Sequence, residues 1–578
     1  MNYPKLRVLE TSRQMVDTFK GYNHNLRIND GEFFDMKNMT SDSFPVLSPR
    51  GKRGIYASTE SPTGLISKDS LCYVDGAYFI MNEHRIDMGL NDEPKQIISM
   101  GAYVIILPDK KYINTENHSD RGDIEASFTT SSKTSFTLCK LDSTNYVVKY
   151  PASPDEPSGA KNMELWIDTS TTPHSLKQYS ESAGMWVSIA TTYVKISCTG
   201  IGKAFEKYDG IEISGLVDTK VASLEGAAVV WEKGDDYIVV VGILDEVVDV
   251  ETPITISRKM PIMDFVIESE NRLWGCRFGP NNNKEIVNEI YCSKLGDFKN
   301  WNCFMGLSTD SYVASVGTDG VFTGAITHMG YPLFFKEGFV HKVYGNYPSN
   351  FQIQTTACRG VQKDCHKSLA IVNETLLYKA RSGIMAYDGS LPIEASYALG
   401  NEAYSEAVGG SIGNKYYVSM KDTQDAYHLF VYDMGKGMWH REDAFRADSF
   451  CSCRGELYAI EHDTGNIIAM LGSGAQEEPV EWMVETGEIG VSSPDMKYMS
   501  RLTVRMMLDV DAEIAFYAQY DFSEEWEHLF TLTGTSLRSF SIPIRPKRCD
   551  HMKLRIEGMG MAKIYSFTKT IEQGSELS

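Results

Sequence analysis

The stretch Ser368 to Ser396, SLAIVNETLLYKARSGIMAYDGSLPIEAS, decides the fold. Leu369, Ile371 and Val372 open an apolar run that Asn373-Glu374 turns. Leu376 to Tyr378 form a second run, turned by Arg381-Ser382-Gly383. Ile384 to Tyr387 form a third, closed by Asp388-Gly389-Ser390. Short β-prone runs punctuated by Gly, Asp, Asn and Ser predict consecutive antiparallel strands joined by tight hairpins. Such a meander is one blade of a β-propeller or one hairpin pair of a sandwich. Recurrence of the unit separates the two.

The unit recurs along the chain. Ser70 to Ile80 holds two runs about Asp75-Gly76, and Ile97 to Leu107 repeats the pattern about Met100-Gly101. Met263 to Phe278 turns at Glu270-Asn271, and Ala325 to Gly345 turns at Met329-Gly330 and again at Lys336-Glu337-Gly338. Val408 to Met420, His428 to Met438 and Phe450 to Leu471 continue the series. Degenerate meanders of about 40 to 50 residues are the signature of propeller repeats. The predicted class is therefore all-β: a β-propeller with an inserted small β-rich domain and a C-terminal β unit. The boundaries read as an N-terminal arm at 1–54, a first propeller part at 55–113, the insertion at 114–222, the rest of the propeller at 223–475, and a C-terminal unit at 476–578. That last unit is either a small sandwich or the strands that close the ring. The arm carries nine Lys/Arg against six Asp/Glu. It reads as an extended lead-in packed on the main domain, or as an arm docked on a neighbouring subunit.

The net charge of -21 argues against a nucleic-acid binder that works by neutralising phosphates. No secretory signal is visible at the Met1 end, and no run reaches the roughly 18 to 20 apolar residues of a membrane helix. The 11 cysteines are scattered and odd in number, as free thiols of a reducing compartment are. The glycosylation triplets at Asn38, Asn117 and Asn373 and the Arg121-Gly122-Asp123 tripeptide read as chance matches.

Phosphate loops, dinucleotide-binding glycines, zinc-protease helices and serine-nucleophile elbows are all missing from the sequence. Cys358, Cys365 and His366 lie close together, and Cys451 and Cys453 share one strand face. Neither set supplies the four ligands with paired short spacings that zinc requires, so both read as structural. Glu268/Glu270, Glu477/Glu478 and Glu524/Glu525 are the acidic pairs open to glycosidase chemistry, which needs two carboxylates across a cleft. Trp166, Tyr179, Trp186, Trp439 and Trp526 are the aromatics open to stacking on sugars. The default reading is a solvated face for the carboxylates and core for the aromatics. No catalytic, cofactor-binding or metal-binding residue is assigned, no cofactor is expected, and binding residues are left open.

Several patches resemble virion proteins of tailed bacteriophages. The arm residues FKGYNHNLRINDGEFFDMKNM (19–39) and FPVLSPRGKRG (44–54) resemble the start of such proteins. LLYKARSGIMAYDGSLPIEAS (376–396) and IYCSKLGDFKNW (290–301) resemble blades of tail-nozzle and head-to-tail stabilisation propellers. Ser293 to Trp301 is also similar, at looser spacing, to the Asp-box turn of sialidase-type propellers. LWIDTSTTPHSLKQYSESAGMWVSI (165–189) resembles a small module of phage tail proteins, and residues 548–576 resemble the terminal strands of the same group. The resemblance implies a tail nozzle or hub without enzymatic activity. Six copies would form a ring below portal and adaptor, extend the DNA channel, gate genome ejection and carry tail fibres or spikes. Viral DNA would pass the lumen without sequence-specific binding. Localisation would be the virion tail, assembled in the host bacterial cytoplasm. The alternatives are a glycan-binding or glycan-degrading propeller (a phage depolymerase or lectin) and a tail-tip protein of a long-tailed phage.

Overall fold

The computed structural model describes residues 11–146, 150–491, 495–521 and 523–573. Strands and turns make up almost all of it, with only single-turn 3-10 helices between them. The chain divides into two compact units, one of residues up to 94, 334–340 and from 356 on, the other of 95–333 and 341–355.

The deciding stretch folds as read. Ala370–Val372, Thr375–Ala380, Gly383–Tyr387 and Ile393–Glu394 pair in chain order as an antiparallel sheet. At the first turn Asn373 and Glu374 both take positive φ, 45° and 68°. This is the twist that lets a two-residue loop join right-twisted strands. Leu376, Leu377, Tyr378, Ile384 and Met385 are buried. Seven such meanders occur among the described residues: 62–87, 96–123, 265–315, 324–357, 370–394, 405–441 and 447–469. The last is completed by Gly54–Ala57, which pairs with Ile467–Ala469. A strand from before the first blade thus joins the last one, with Ala475–Gln476 paired on its far side. Within one unit Ala370–Val372 lies against Ser405–Ile412, that strand against Ala447–Cys453, and that in turn against Pro62–Lys68. Within the other, Gln96–Met100 lies against Phe265–Ser269, and Phe265–Ser269 against Gly324–His328. First strand against first strand is the blade arrangement of a propeller, and the fold is an all-β propeller type.

The insertion runs later than its sequence boundaries of 114–222. Arg121–Asp123 is the fourth strand of the second blade. Ala126–Thr129 pairs with Thr255–Arg258, and Thr134–Cys139 pairs with Val248–Val250 and Tyr193–Ser197. Residues 126–258 therefore form the insertion, and the hairpin about Gly234-Asp235-Asp236 belongs to it and not to the propeller. The strand runs of the two parts have the same composition and period, so only long-range pairing tells them apart. Phe136, Ile196, Phe205, Ile213, Ile238 and Ile256 sit in its core.

The arm strands pair with strands of the same chain. Thr11–Val16 pairs with Ala562–Gln573, and Glu32–Lys37 pairs with Glu481–Thr486. Tyr22 pairs with Trp439 of the 405–441 blade. Together with Lys497–Tyr520, Glu527–Ile542 and Met552–Met559 they make one 12-stranded sheet. The 24-residue strand Lys497–Tyr520 is its hinge. Its first half pairs with Ala562–Gln573 and its second half with Met552–Met559. Strands that change sheets make the corners of sandwiches. Here Phe33 and Phe567 meet edge-on from the two halves, their ring centroids 6.4 Å apart. The strands of 476–578 thus share one sheet with strands of the arm and of the 405–441 blade.

Candidate functional site

Of the residues open to chemistry, several are engaged in turns, hydrogen bonds or cores and others are exposed. Glu268 accepts the Asn271 N–H at 2.9 Å, and Glu270 occupies the turn itself with φ of 51°. Glu477 accepts from Arg50 at 2.5 Å and from the Arg53 N–H at 2.8 Å. Glu478, Glu524 and Glu525 are exposed. Cys365 is buried and accepts the Ala407 N–H. Burial pushes the Cys358 thiol up to about 11 and the Cys451 thiol to about 12. His366 is pushed down to about 4, by burial and then by the charge of Lys367. Protonated thiols and a neutral ring are what structural side chains present. No group of three or more metal-ligating side chains comes together among the described residues. All eleven cysteines are free.

The aromatics go the same way. Trp439 is buried and donates to the Ala395 carbonyl at 2.8 Å. Trp166, Tyr179 and Trp186 form one cluster on the small sheet of 152–188, with Trp186 edge-on to both others at 5.6 and 5.4 Å. Trp166 donates to Ser153 and carries the Lys177 ammonium over its ring, and Lys177 is paired with Asp168 at 2.8 Å. Trp166 and Trp186 are 4% and 9% exposed, so neither offers an open face to a sugar ring. Trp526 lies under the Arg555 guanidinium at 4.2 Å. Arg121 bonds the His118 carbonyl at the end of its blade.

Two polar clusters explain the motifs. In the FPVLSPRGKRG element, Arg53 reaches Glu442 at 2.6 Å and Asp443 at 2.8 Å, while Arg50 reaches Asp443 and Glu477. Burial pushes Asp443 up, but Arg53 and Arg50 outweigh it and hold the carboxyl below the usual carboxylate range. The motif is a lock between arm and blade. In the Asp-box-like turn, Asn300 is buried, donates to Asp209 and Asp297, and accepts the Gly210 N–H at 2.8 Å. Asp209 is also paired with Arg258. That turn therefore pins the insertion to the 265–315 blade.

One concavity lies at Asp509-Val510-Asp511 in the long strand Lys497–Tyr520. Leu508 faces Thr535 on one side and Ala562 on the other, and Glu513 faces Thr533 and Met559. Four residues of the long strand thus stand against the single Gly534, a bulge larger than the usual two against one. A Cβ on Gly534 would meet the Val510 carbonyl at 2.5 Å, so the bulge closes only over glycine. Asp509 donates its N–H to the Met561 carbonyl across the next hairpin. A groove of about 840 Å³ results, floored by Val480, Leu508, Ala512 and Met561 and rimmed by Asp509, Val510, Asp511 and Lys52. Val510 is 89% exposed.

No protein-family profile matches the chain, and no curated protein matches its sequence. Among solved structures it is similar to U3-55K, at 7% identity and a TM-score of 0.28, over 72% of this chain and 98% of that one. It is also similar to exo-β-1,3-galactanase from Phanerochaete chrysosporium at 8% identity, a TM-score of 0.21 and coverage of 52% and 95%. Trypanosoma rangeli sialidase follows at 7% identity, a TM-score of 0.17 and coverage of 90% and 95%. Likeness at this level says nothing of activity, and the fold rests on the sheets themselves.

Proposed function

We propose that this protein is a non-catalytic assembly component, a tail-nozzle or hub subunit of a bacteriophage virion. The observation that carries the reading is the interlaced sheet of arm and C-terminal strands. Among the described residues, the outer edges of Thr11–Val16 and of the 16-residue Glu527–Ile542 carry no partner strand. Open strand edges are where β-proteins join other chains. The carboxylates and aromatics weighed for glycan chemistry are meanwhile exposed singly or engaged in locks and cores. The acidic balance suits a lumen that repels phosphate while DNA slides past. Portal and adaptor proteins above, fibres or spikes at the flank, and further copies of the chain are the partners this reading names.

The test is the mass of the full chain in solution with negative-stain class averages, alone and with a portal–adaptor complex. Sixfold rings, formed alone or on that complex, support the proposal. Threefold particles would move the reading to a tail tip. A monomer that ignores the complex and binds or cleaves bacterial polysaccharide would overturn it in favour of the glycan-active class.

A further inference from the structure

We infer that a pocket beside the 270–271 turn of the 265–315 blade and the 329–330 turn of the 324–357 blade binds a hexuronic acid, a sugar that carries a carboxylate. The inference goes beyond the assembly reading and does not depend on it. The pocket holds about 220 Å³, room for one sugar ring. Its two turns are tied together: Ser269 donates its hydroxyl to the Gly330 carbonyl at 3.3 Å, and Thr327 donates to the Glu268 carbonyl. Arg272 forms part of the wall and is 2% exposed. Its Nη1 donates to the Ser293 and Asp310 carbonyls at 2.9 and 2.6 Å and reaches the Cys292 sulfur at 3.8 Å. Its Nη2 donates to the Ser308 carbonyl at 2.8 Å. A guanidinium has five N–H groups in a fixed fork. Among the described residues, the Nε–H and one Nη2–H of Arg272 have no acceptor, and no carboxylate pairs with it.

A buried charge without a counter-charge is costly, and a bound anion removes that cost. The cation is also held in place: the Phe351 ring centre lies 5.7 Å from the guanidinium carbon, and Trp274 meets Phe351 edge-on at 4.9 Å. Tyr331 lines the pocket and carries the Lys342 ammonium 4.2 Å from its ring centre, a second cation at the mouth. Such a site stands out in a chain of net charge -21. Glu270 and Asn346, both exposed, line the same pocket, and they select the ligand. A bare anion such as phosphate gains from Arg272 but meets Glu270 as a like charge. A hexuronate suits both groups. Its carboxylate takes the two open N–H groups of Arg272. Its hydroxyls donate to the Glu270 carboxylate and the Asn346 amide oxygen. Tyr331 offers an apolar surface to the C–H face of the sugar ring.

The experiment is isothermal titration calorimetry of the full chain with glucuronate, galacturonate, glucose and inorganic phosphate in turn. The expected result is saturable binding of at least one of the two uronates, about tenfold or more tighter than glucose or phosphate, as one hydrogen bond to a charged group provides. Arg272→Met and Glu270→Ala should each weaken that binding by about the same factor. Arg272 also holds three backbone carbonyls. Where its loss unfolds the blade, Glu270→Ala at its exposed turn and the two control ligands decide the matter. Absence of uronate binding would overturn the inference. So would glucose or phosphate binding as tightly as the uronates, or a Glu270→Ala protein that binds them unchanged. Rings on the portal–adaptor complex that bind no uronate sink this site and leave the hub reading standing, whereas a monomer that ignores the complex yet binds uronate does the reverse.

Discussion

The 370–394 blade and the sheet hinged on Lys497–Tyr520 each bury one face of a β-sheet, with opposite wiring. In the blade every strand pairs with its neighbour in sequence, through connections of two to five residues. In the hinged sheet Thr11–Val16 pairs with residues 567–572, and Glu32–Lys37 with 483–486. Local pairing costs little loop-closure entropy, while pairing across most of the chain must be secured by other means. The structure secures it with charge: the Arg50/Arg53 lock sits where the arm leaves the hinged sheet for the last blade. The difference teaches that blades hold themselves, and seams between distant segments are held by buried polar residues.

The strongest way to break this comparison is Arg53→Ala. It leaves buried Glu442 and part-buried Asp443 with Arg50 alone, against a cost of about 3 to 5 kcal/mol for breaking a fully buried pair. Urea unfolding followed by circular dichroism should read that loss, and a loss below about 1 kcal/mol would deny the lock its role. Asn300→Ala tests the other seam, between insertion and blade. Removing one side of this buried network should cost about 1 to 3 kcal/mol. Hydrogen exchange should locate the loosening at Gly210 and the Ser293–Trp301 turn, and loosening confined to the 265–315 strands would refute the pinning.

A third prediction uses pH. Burial, with Lys415 next, pushes His440 down to about 3. The unfolded chain therefore binds a proton near pH 6.5 that the folded chain refuses until about pH 3. Stability is full above pH 6.5 and declines as pH falls from there towards 3. His440→Gln should flatten that slope in melts taken between pH 7 and pH 4, and an unchanged slope would place the titration elsewhere. The smallest expected effect is that of Val510→Asp on the isolated chain. At so exposed a site the change in stability should stay within about 0.5 kcal/mol, read by the same urea titration, and a larger loss would mean that the groove is already filled within the chain.

The same contrast sets what the sequence disclosed. Blades are legible because Asp75-Gly76, Asn373-Glu374 and their like announce turns a few residues from the strands they join. The edges of the insertion are not, because Thr255–Arg258 has no local signal that its partner is Ala126–Thr129. The arm was placed by composition alone, since two-residue strands such as Gly21–Tyr22 exist only by virtue of partners elsewhere. At the candidate site, a strand's own residues do not say what stands across from a bulge, so the Asp509–Ala512 groove has no local signal. Arg50 and Arg53 were visible as a motif, and nothing near them in the chain named Glu442 or Asp443.

The pairing of Gly54–Ala57 with Ile467–Ala469, and of the arm with strands still later, has a consequence for the order of synthesis. At about 5 to 20 residues per second a ribosome needs roughly half a minute to two minutes to deliver the chain. Throughout that time the earliest-made strands wait for partners made last, while each blade can zip as it emerges. The nascent protein is thus a string of finished blades with unmatched ends, and its maturation is a single late act of joining first to last.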